Sequence, residues 1–326
     1  MSRSILRAAV LAVAAAVPIS HASAHCFVGA RFLPATLTVD DPCVADELSL
    51  PTVSWLMNAD DPSASEFDIS TDISKRITDT FGVSVGSTWT HIHPPGGPGV
   101  SGWQNLDTSF MSQFYTNAEH EFVMSAALGL EWNGTGSKSV GADSFSTVTP
   151  TLFFGKGLGD LPDDFGWVRA FAVTGQIGYA IPTKSTNITI ADDGSLSVDN
   201  NPSVLQYGGT LQFSFPYLKS NVVDRNLPDF VNHLIPIVEA SFATPVSNNF
   251  GTGQGTTGTI SPGVIWVGNY FQIGAEALIP ANRASGAGTG VIAQLHLYLD
   301  DMFPYTIGQP LLGDGVSTPP MKPIGN

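Results

Sequence analysis

The sequence predicts an all-β protein, an antiparallel transmembrane β-barrel of about 12 strands of the bacterial outer-membrane type. Three observations predict it. Charged residues are only 13% of the 326, against roughly a quarter in ordinary soluble chains. Apolar and small or polar residues alternate with period two over segment after segment, each about as long as a tilted membrane strand of roughly 10 residues. Beyond the N-terminus no run of 18 apolar residues occurs, so helical spans are not expected.

The chain opens with Arg3 and Arg7, an apolar run from Ala8 to Val17, and Ala22-Ser23-Ala24. A basic start, a short apolar stretch and a small-x-small site make residues 1–24 a secretory signal peptide, cut after Ala24. Loss of Arg3 and Arg7 leaves 11 basic against 28 acidic residues, a mature charge near −17 where the full chain has −15. Residues 25–47 follow as a periplasmic segment. Its Cys26 and Cys43 are the chain's 2 cysteines, and in an oxidising compartment an even pair this close most simply forms one disulfide.

The barrel is expected over 48–299, with strands near 48–57, 65–74, 81–91, 103–115, 120–132, 145–155, 167–181, 203–217, 234–244, 257–267, 270–280 and 290–299. Alternation is clearest from Phe122 to Trp132. Phe122, Met124, Ala126, Leu128 and Leu130 share one face, and Val123, Ser125, Ala127, Gly129 and Glu131 the other. A soluble sandwich alternates too, but its strands average about 5 or 6 residues. Trp89, Trp103, Trp132, Trp167, Tyr217 and Tyr270 fall near strand ends, where an interfacial girdle would put them. Tight connections such as Thr116–Glu119 and Gly268-Asn269 lie on one end, and most longer ones, including 182–202 and 247–256, on the other. Two, near 156–166 and 218–233, are long on the short side. The first strand is interrupted by Pro51; without it eleven strands remain and the termini part to opposite faces. Residues 300–326 form a Pro/Gly-rich periplasmic tail, which leaves internal the last-strand signal read by the outer-membrane assembly machinery.

A net charge of −15 excludes a phosphate-binding surface, so no nucleic-acid partner is expected. Gly82-Val83-Ser84-Val85-Gly86 matches the G-x-S-x-G pattern but lies inside an alternating strand with no helix after it, where a nucleophile elbow cannot form. Gly253–Gly258 matches a dinucleotide fingerprint without its strand–turn–helix setting. His91 and His93 share a strand face but lack further ligands nearby, and the Asp pairs at 40–41, 60–61, 163–164, 192–193 and 300–301 read as solvated turns. No metal, cofactor or catalytic residue is therefore expected. Arg169 reads as a boundary residue reaching toward headgroups. On the polar parity, Glu131, Gln212, Glu239, Glu276, Gln294 and His296 are the candidate pore-lining residues, either along a wet path or in a structural network.

Ser74–Thr78 with Phe81–Gly86, Glu121–Ala126, Pro262–Gly274 and the ending Leu295–Pro304 resemble the outer-membrane proteins grouped as "MetA-pathway of phenol degradation". The resemblance implies an outer-membrane barrel that moves small, often aromatic, compounds, and carries no catalytic motif with it. The expected function is thus a passive channel or facilitator for small organic solutes, with membrane lipid and those solutes as partners. A non-conducting structural or adhesin-like barrel and an outer-membrane hydrolase are the alternatives.

Overall fold

A computed structural model describes residues 25–57, 64–190, 196–248 and 255–313. The expected signal peptide, the first two residues of the dinucleotide-like motif, Gly253 and Gln254, the Asp pairs at 60–61 and 192–193, and residues 314–326 lie outside them. Twelve long strands form the wall: β1 Glu47–Met57, β2 Ser65–Thr78, β3 Phe81–His93, β4 Leu106–Asn117, β5 Phe122–Trp132, β6 Thr147–Gly157, β7 Phe171–Pro182, β8 Ser203–Phe213, β9 Leu234–Ser247, β10 Thr257–Val267, β11 Phe271–Pro280 and β12 Gly290–Tyr298. Each pairs antiparallel with its sequence neighbours. The last closes on the first, from Gly290 opposite Leu56 to Tyr298 opposite Glu47. Closure matters because an open edge would leave backbone N–H and C=O groups bare in hydrocarbon.

Side-chain parity is inverted relative to a soluble protein. Leu152, Ile177, Leu211, Ile273 and Val291 point outward and are exposed, Leu152 to 51%, while Ser125, Glu239, Ser261 and Gln272 are fully buried inside. That arrangement is stable only when lipid covers the exterior. Trp103, Trp132, Trp167 and Tyr270 are exposed near strand ends, as a girdle requires. Tyr217 is an exception to the sequence reading: it sits in a short helix, Phe215–Tyr217, and is buried.

Several boundaries shift for local reasons. Expected strand 103–115 splits into a short piece, Val100–Trp103, that pairs with β3, and β4. Expected strand 167–181 starts only at Phe171 because Asp163–Ala170 turns as 3₁₀ helix, and β8 stops at Phe213 where Pro216 favours a helical first turn. Pro51 does not break β1. The ladder shifts register between Ser49 and Thr52 on both sides, a bulge that accommodates the missing N–H. The loop between β7 and β8 carries its own hairpin, Thr186–Ile190 with Leu196–Asn200.

The sequence reading sets residues 25–47 ahead of the barrel as a periplasmic segment, whereas the structure packs them against inward wall residues. Residues 25–46 lie inside the lumen, at the end that holds the 79–80, 118–121 and 268–270 turns. Val28, Leu33 and Val39 are fully buried. Phe32 packs with inward Ile235, Ile237, Ile265 and Val267, and Val28 and Leu33 with Val123 and Ala172. Small wall residues make the room: a Cβ on Gly155 would lie 2.6 Å from Leu33 Cδ1. Cys26 and Cys43 are joined, with Cα atoms 5.3 Å apart, so the segment is a closed plug. Replacing both cysteines by serine is expected to destabilise the seated plug by about 3 kcal/mol through lost loop constraint. Hydrogen exchange should quicken over residues 25–46 while the strands keep their protection.

Candidate functional site

Above the plug lies a cavity of about 690 Å³. Its floor is the plug's own Asp40, Asp41 and Val44, and its walls carry Glu47, Asp72, Asp107 and Glu131 among many serine and threonine hydroxyls. Among the described residues that line it, His296 is the sole side chain able to carry positive charge. Enclosure raises the Asp41 carboxyl well above its usual range, chiefly by desolvation and then by the charge of Glu47, and raises Asp40 by desolvation and then by Glu239. The Asp40-Asp41 pair is therefore a lumen feature and not the solvated turn its sequence suggests, because the plug folds it inward.

The six sequence candidates divide into two groups. Glu131, Gln294 and His296 line the cavity. Glu131 accepts from Asn105 Nδ2 at 2.9 Å, Gln294 Nε2 donates to Thr52 Oγ1 at 3.1 Å, and His296 joins Ser49 Oγ at 2.8 Å with Nε2 3.3 Å from Glu47 Oε2. Gln212, Glu239 and Glu276 are buried off the cavity. Glu239 receives the plug: the backbone N–H groups of Leu37, Thr38 and Val39 donate to its carboxylate at 2.8, 2.9 and 2.7 Å, and Thr38 Oγ1 donates at 2.7 Å. Glu239 thereby supplies one acceptor group for three backbone N–H groups and a hydroxyl of the arch at 37–39, which lie away from the strand ladders.

A second latch is Arg31, whose side chain is fully buried. Its Nε donates to Glu121 Oε2 at 3.0 Å, its Nη1 to the Ala170 carbonyl at 3.1 Å and its Nη2 to the Arg169 carbonyl at 2.6 Å. The guanidinium lies 3.4 Å over the Tyr217 ring, which is why that aromatic turns inward from the girdle. Burial, and then Glu121, push the Tyr217 phenol up to about 12, so it stays protonated. Arg169 does not reach the headgroups: its Nε donates to the Gly159 carbonyl at 3.2 Å and its Nη1 pairs with Asp163.

The third latch is His25. Its backbone nitrogen donates to Asp300 Oδ2 at 2.9 Å, while Nδ1 and Nε2 lie 3.2 and 2.6 Å from Asp300 Oδ1 and Asp301 Oδ2. Its ring stacks on Tyr298 at 4.2 Å. The Asp300-Asp301 pair is thus a plug seat and not a solvated turn. Desolvation works against a charged imidazole, but the two aspartates overcome it and raise His25 from 6.5 to about 9. The sign follows. The folded state favours the protonated ring, so its stabilisation is complete below pH 6.5 and is lost as pH rises to about 9. Exchange protection of residues 25–33 is expected to fall across that window.

The remaining motifs sit elsewhere. Ser84 lies in mid-strand on the cavity wall, opposite Ser74 and Ser109, with no helix following it. His91 meets Ser101 Oγ at 2.7 Å and stacks on Trp89, and His93 is exposed at the strand end. The tail runs back along β2, with Leu312 N–H donating to the Ile77 carbonyl at 2.7 Å.

A closed twelve-strand barrel with an apolar jacket and a polar interior defines a bacterial outer-membrane β-barrel protein. No family model matches the chain, and no curated protein matches it. Among solved structures, the COG4313 outer membrane channel from Pseudomonas putida F1 superposes with a TM-score of 0.53 at 10% identity, over 82% of this chain and 99% of that one. The NanC porin gives 0.46 at 6% identity over 76% of this chain and 98% of that one, and the KdgM porin 0.43 at 11% over 76% and 97%. At 10% identity, what is shared with the COG4313 channel is the fold.

Proposed function

We propose that the protein is an outer-membrane channel for small neutral or cationic organic solutes, whose conducting path is restricted at one end by its own N-terminal segment. The observation that carries this reading is the cavity lined by carboxylates and hydroxyls inside a closed wall. Asp72, Asp107 and Glu131 face a space too large for structural packing alone, and rings of acidic side chains favour cations over anions. The hydroxyl lining suits solutes that donate and accept hydrogen bonds, phenols among them, in keeping with the resemblance to the phenol-degradation group. The seated plug favours a second reading, a barrel that does not conduct and serves as structure or adhesin.

Planar-bilayer recording separates the two. The wild type in a salt gradient is expected to show discrete conductance steps and a reversal potential on the cation side. Asp72→Asn/Asp107→Asn/Glu131→Gln is expected to move that potential toward zero with the barrel still heat-modifiable on a gel. Silent records, together with no liposome swelling for phenolic or sugar solutes, would remove the channel reading and leave the second.

A further inference from the structure

We propose that Asp300 forms a buried binding site for the chain's own mature α-ammonium, created by hydrolysis of the Ala24–His25 peptide bond, while Asp301 holds the imidazole of the same residue. The proposal is independent of whether the barrel conducts.

The geometry converges on the nitrogen of one residue. His25 is buried, and its backbone nitrogen is 2.9 Å from Asp300 Oδ2. Asp300 is itself buried, and its other oxygen accepts from the Asp301 N–H at 3.0 Å while facing His25 Nδ1 at 3.2 Å. The backbone supplies a second, independent pointer. His25 has φ of 40°, a left-handed value that costs a side chain with a Cβ because of its clash with backbone carbonyls. That torsion exists only while a carbonyl precedes the residue. Cleavage removes the carbonyl and the constraint with it. The sequence supplies a third, since Ala22-Ser23-Ala24 is the small-x-small pattern a leader peptidase reads.

In the reaction, water adds across the amide. Its oxygen joins the Ala24 carbonyl to give a carboxylate that leaves with the leader, and the His25 nitrogen gains protons to become an ammonium. The product differs from the substrate at the atom Asp300 holds. A neutral N–H donor to the carboxylate becomes a charged one, so the attraction of opposite charges is added to the hydrogen bond. Asp300, held below the usual carboxylate range by His25 against the opposing effect of burial, is ionised to receive it. Processing at this bond would thereby complete the seat of the plug.

The test uses the full-length protein extracted from outer membranes. Intact mass should show a chain beginning at His25. Brief treatment of the folded protein with an amine-acylating reagent, followed by peptide mapping, should label the exposed Lys138 while the His25 α-amine reacts about tenfold or more slowly. Unfolding before labelling should erase the difference. Asp300→Asn, scored only as heat-modifiable barrel, should bring the His25 amine close to the Lys138 rate, and Asp300→Glu should retain part of the protection. A terminus at any other residue, or an α-amine in the folded wild type that labels as fast as Lys138, overturns the site without any variant. Protection unchanged in folded Asp300→Asn overturns the assignment to Asp300.

Discussion

Glu239→Ala is expected to release the plug and raise single-channel conductance, with the wall intact. Four donors converge on that carboxylate, three of them backbone N–H groups of consecutive residues. Alanine deprives all four of the carboxylate on which they converge, and the residues paired with position 239, Thr210 and Ser261, carry only single hydroxyls on the adjoining strands. Each buried donor left without its acceptor costs about 1–3 kcal/mol, so the arch loses much of what seats it. The strands do not depend on it, since their ladders are backbone to backbone. Gel mobility before and after boiling should be unchanged, while conductance rises and larger solutes begin to pass. Glu239→Gln retains one acceptor oxygen and should fall between. Wild-type conductance from folded Glu239→Ala would show that the arch is held by packing and not by this carboxylate.

Arg31→Met is expected to unseat the other end of the same segment. Methionine conserves much of the apolar volume but deletes the three donated hydrogen bonds and the contact over Tyr217. It also strands Glu121, which is buried and keeps only the Gly159 N–H at 3.0 Å and the Tyr217 hydroxyl as partners. A loss of about 3–5 kcal/mol follows for a buried pair broken on one side. Because Arg31 and Glu239 hold one segment closed by one disulfide, their effects should not add. Once either latch has let go, removing the other should change conductance little, a coupling that a double-mutant cycle measures directly. Full additivity would mean that the two ends of the plug move independently.

The wall was legible in the sequence and the plug was not, for one physical reason. A strand facing lipid on one side and a lumen on the other must alternate, and Phe122–Trp132 or Phe271–Pro280 display that alternation with no knowledge of their neighbours. What fills the lumen has no such obligation. Phe32, Leu33, Leu37 and Val39 form no period of two or 3.6, and their partners Ile235 and Ile265 sit on the inward parity at one end only. An inward isoleucine on a supposedly wet face was the available signal. The charged residues misled in the same way. Asp40-Asp41 and Asp300-Asp301 look like turns because most acidic pairs are, and only a folded-back segment gives them a lumen to face and a histidine to hold. Glu239, read with Glu131, Glu276 and His296 as one set, belongs to the plug's anchorage while Glu131 and His296 face open space. Parity places all of them inside but says nothing about depth.

The meeting of His25 with Asp300 places a clasp beside the barrel's seam. Asp300 lies two residues beyond β12, the strand that zips onto β1, so the receptor for His25 is carried by the exit of the final strand while its guest precedes the first. The stopper is therefore tethered to the cylinder at the join, and loosening that join should free the stopper's leading end before any other part of it.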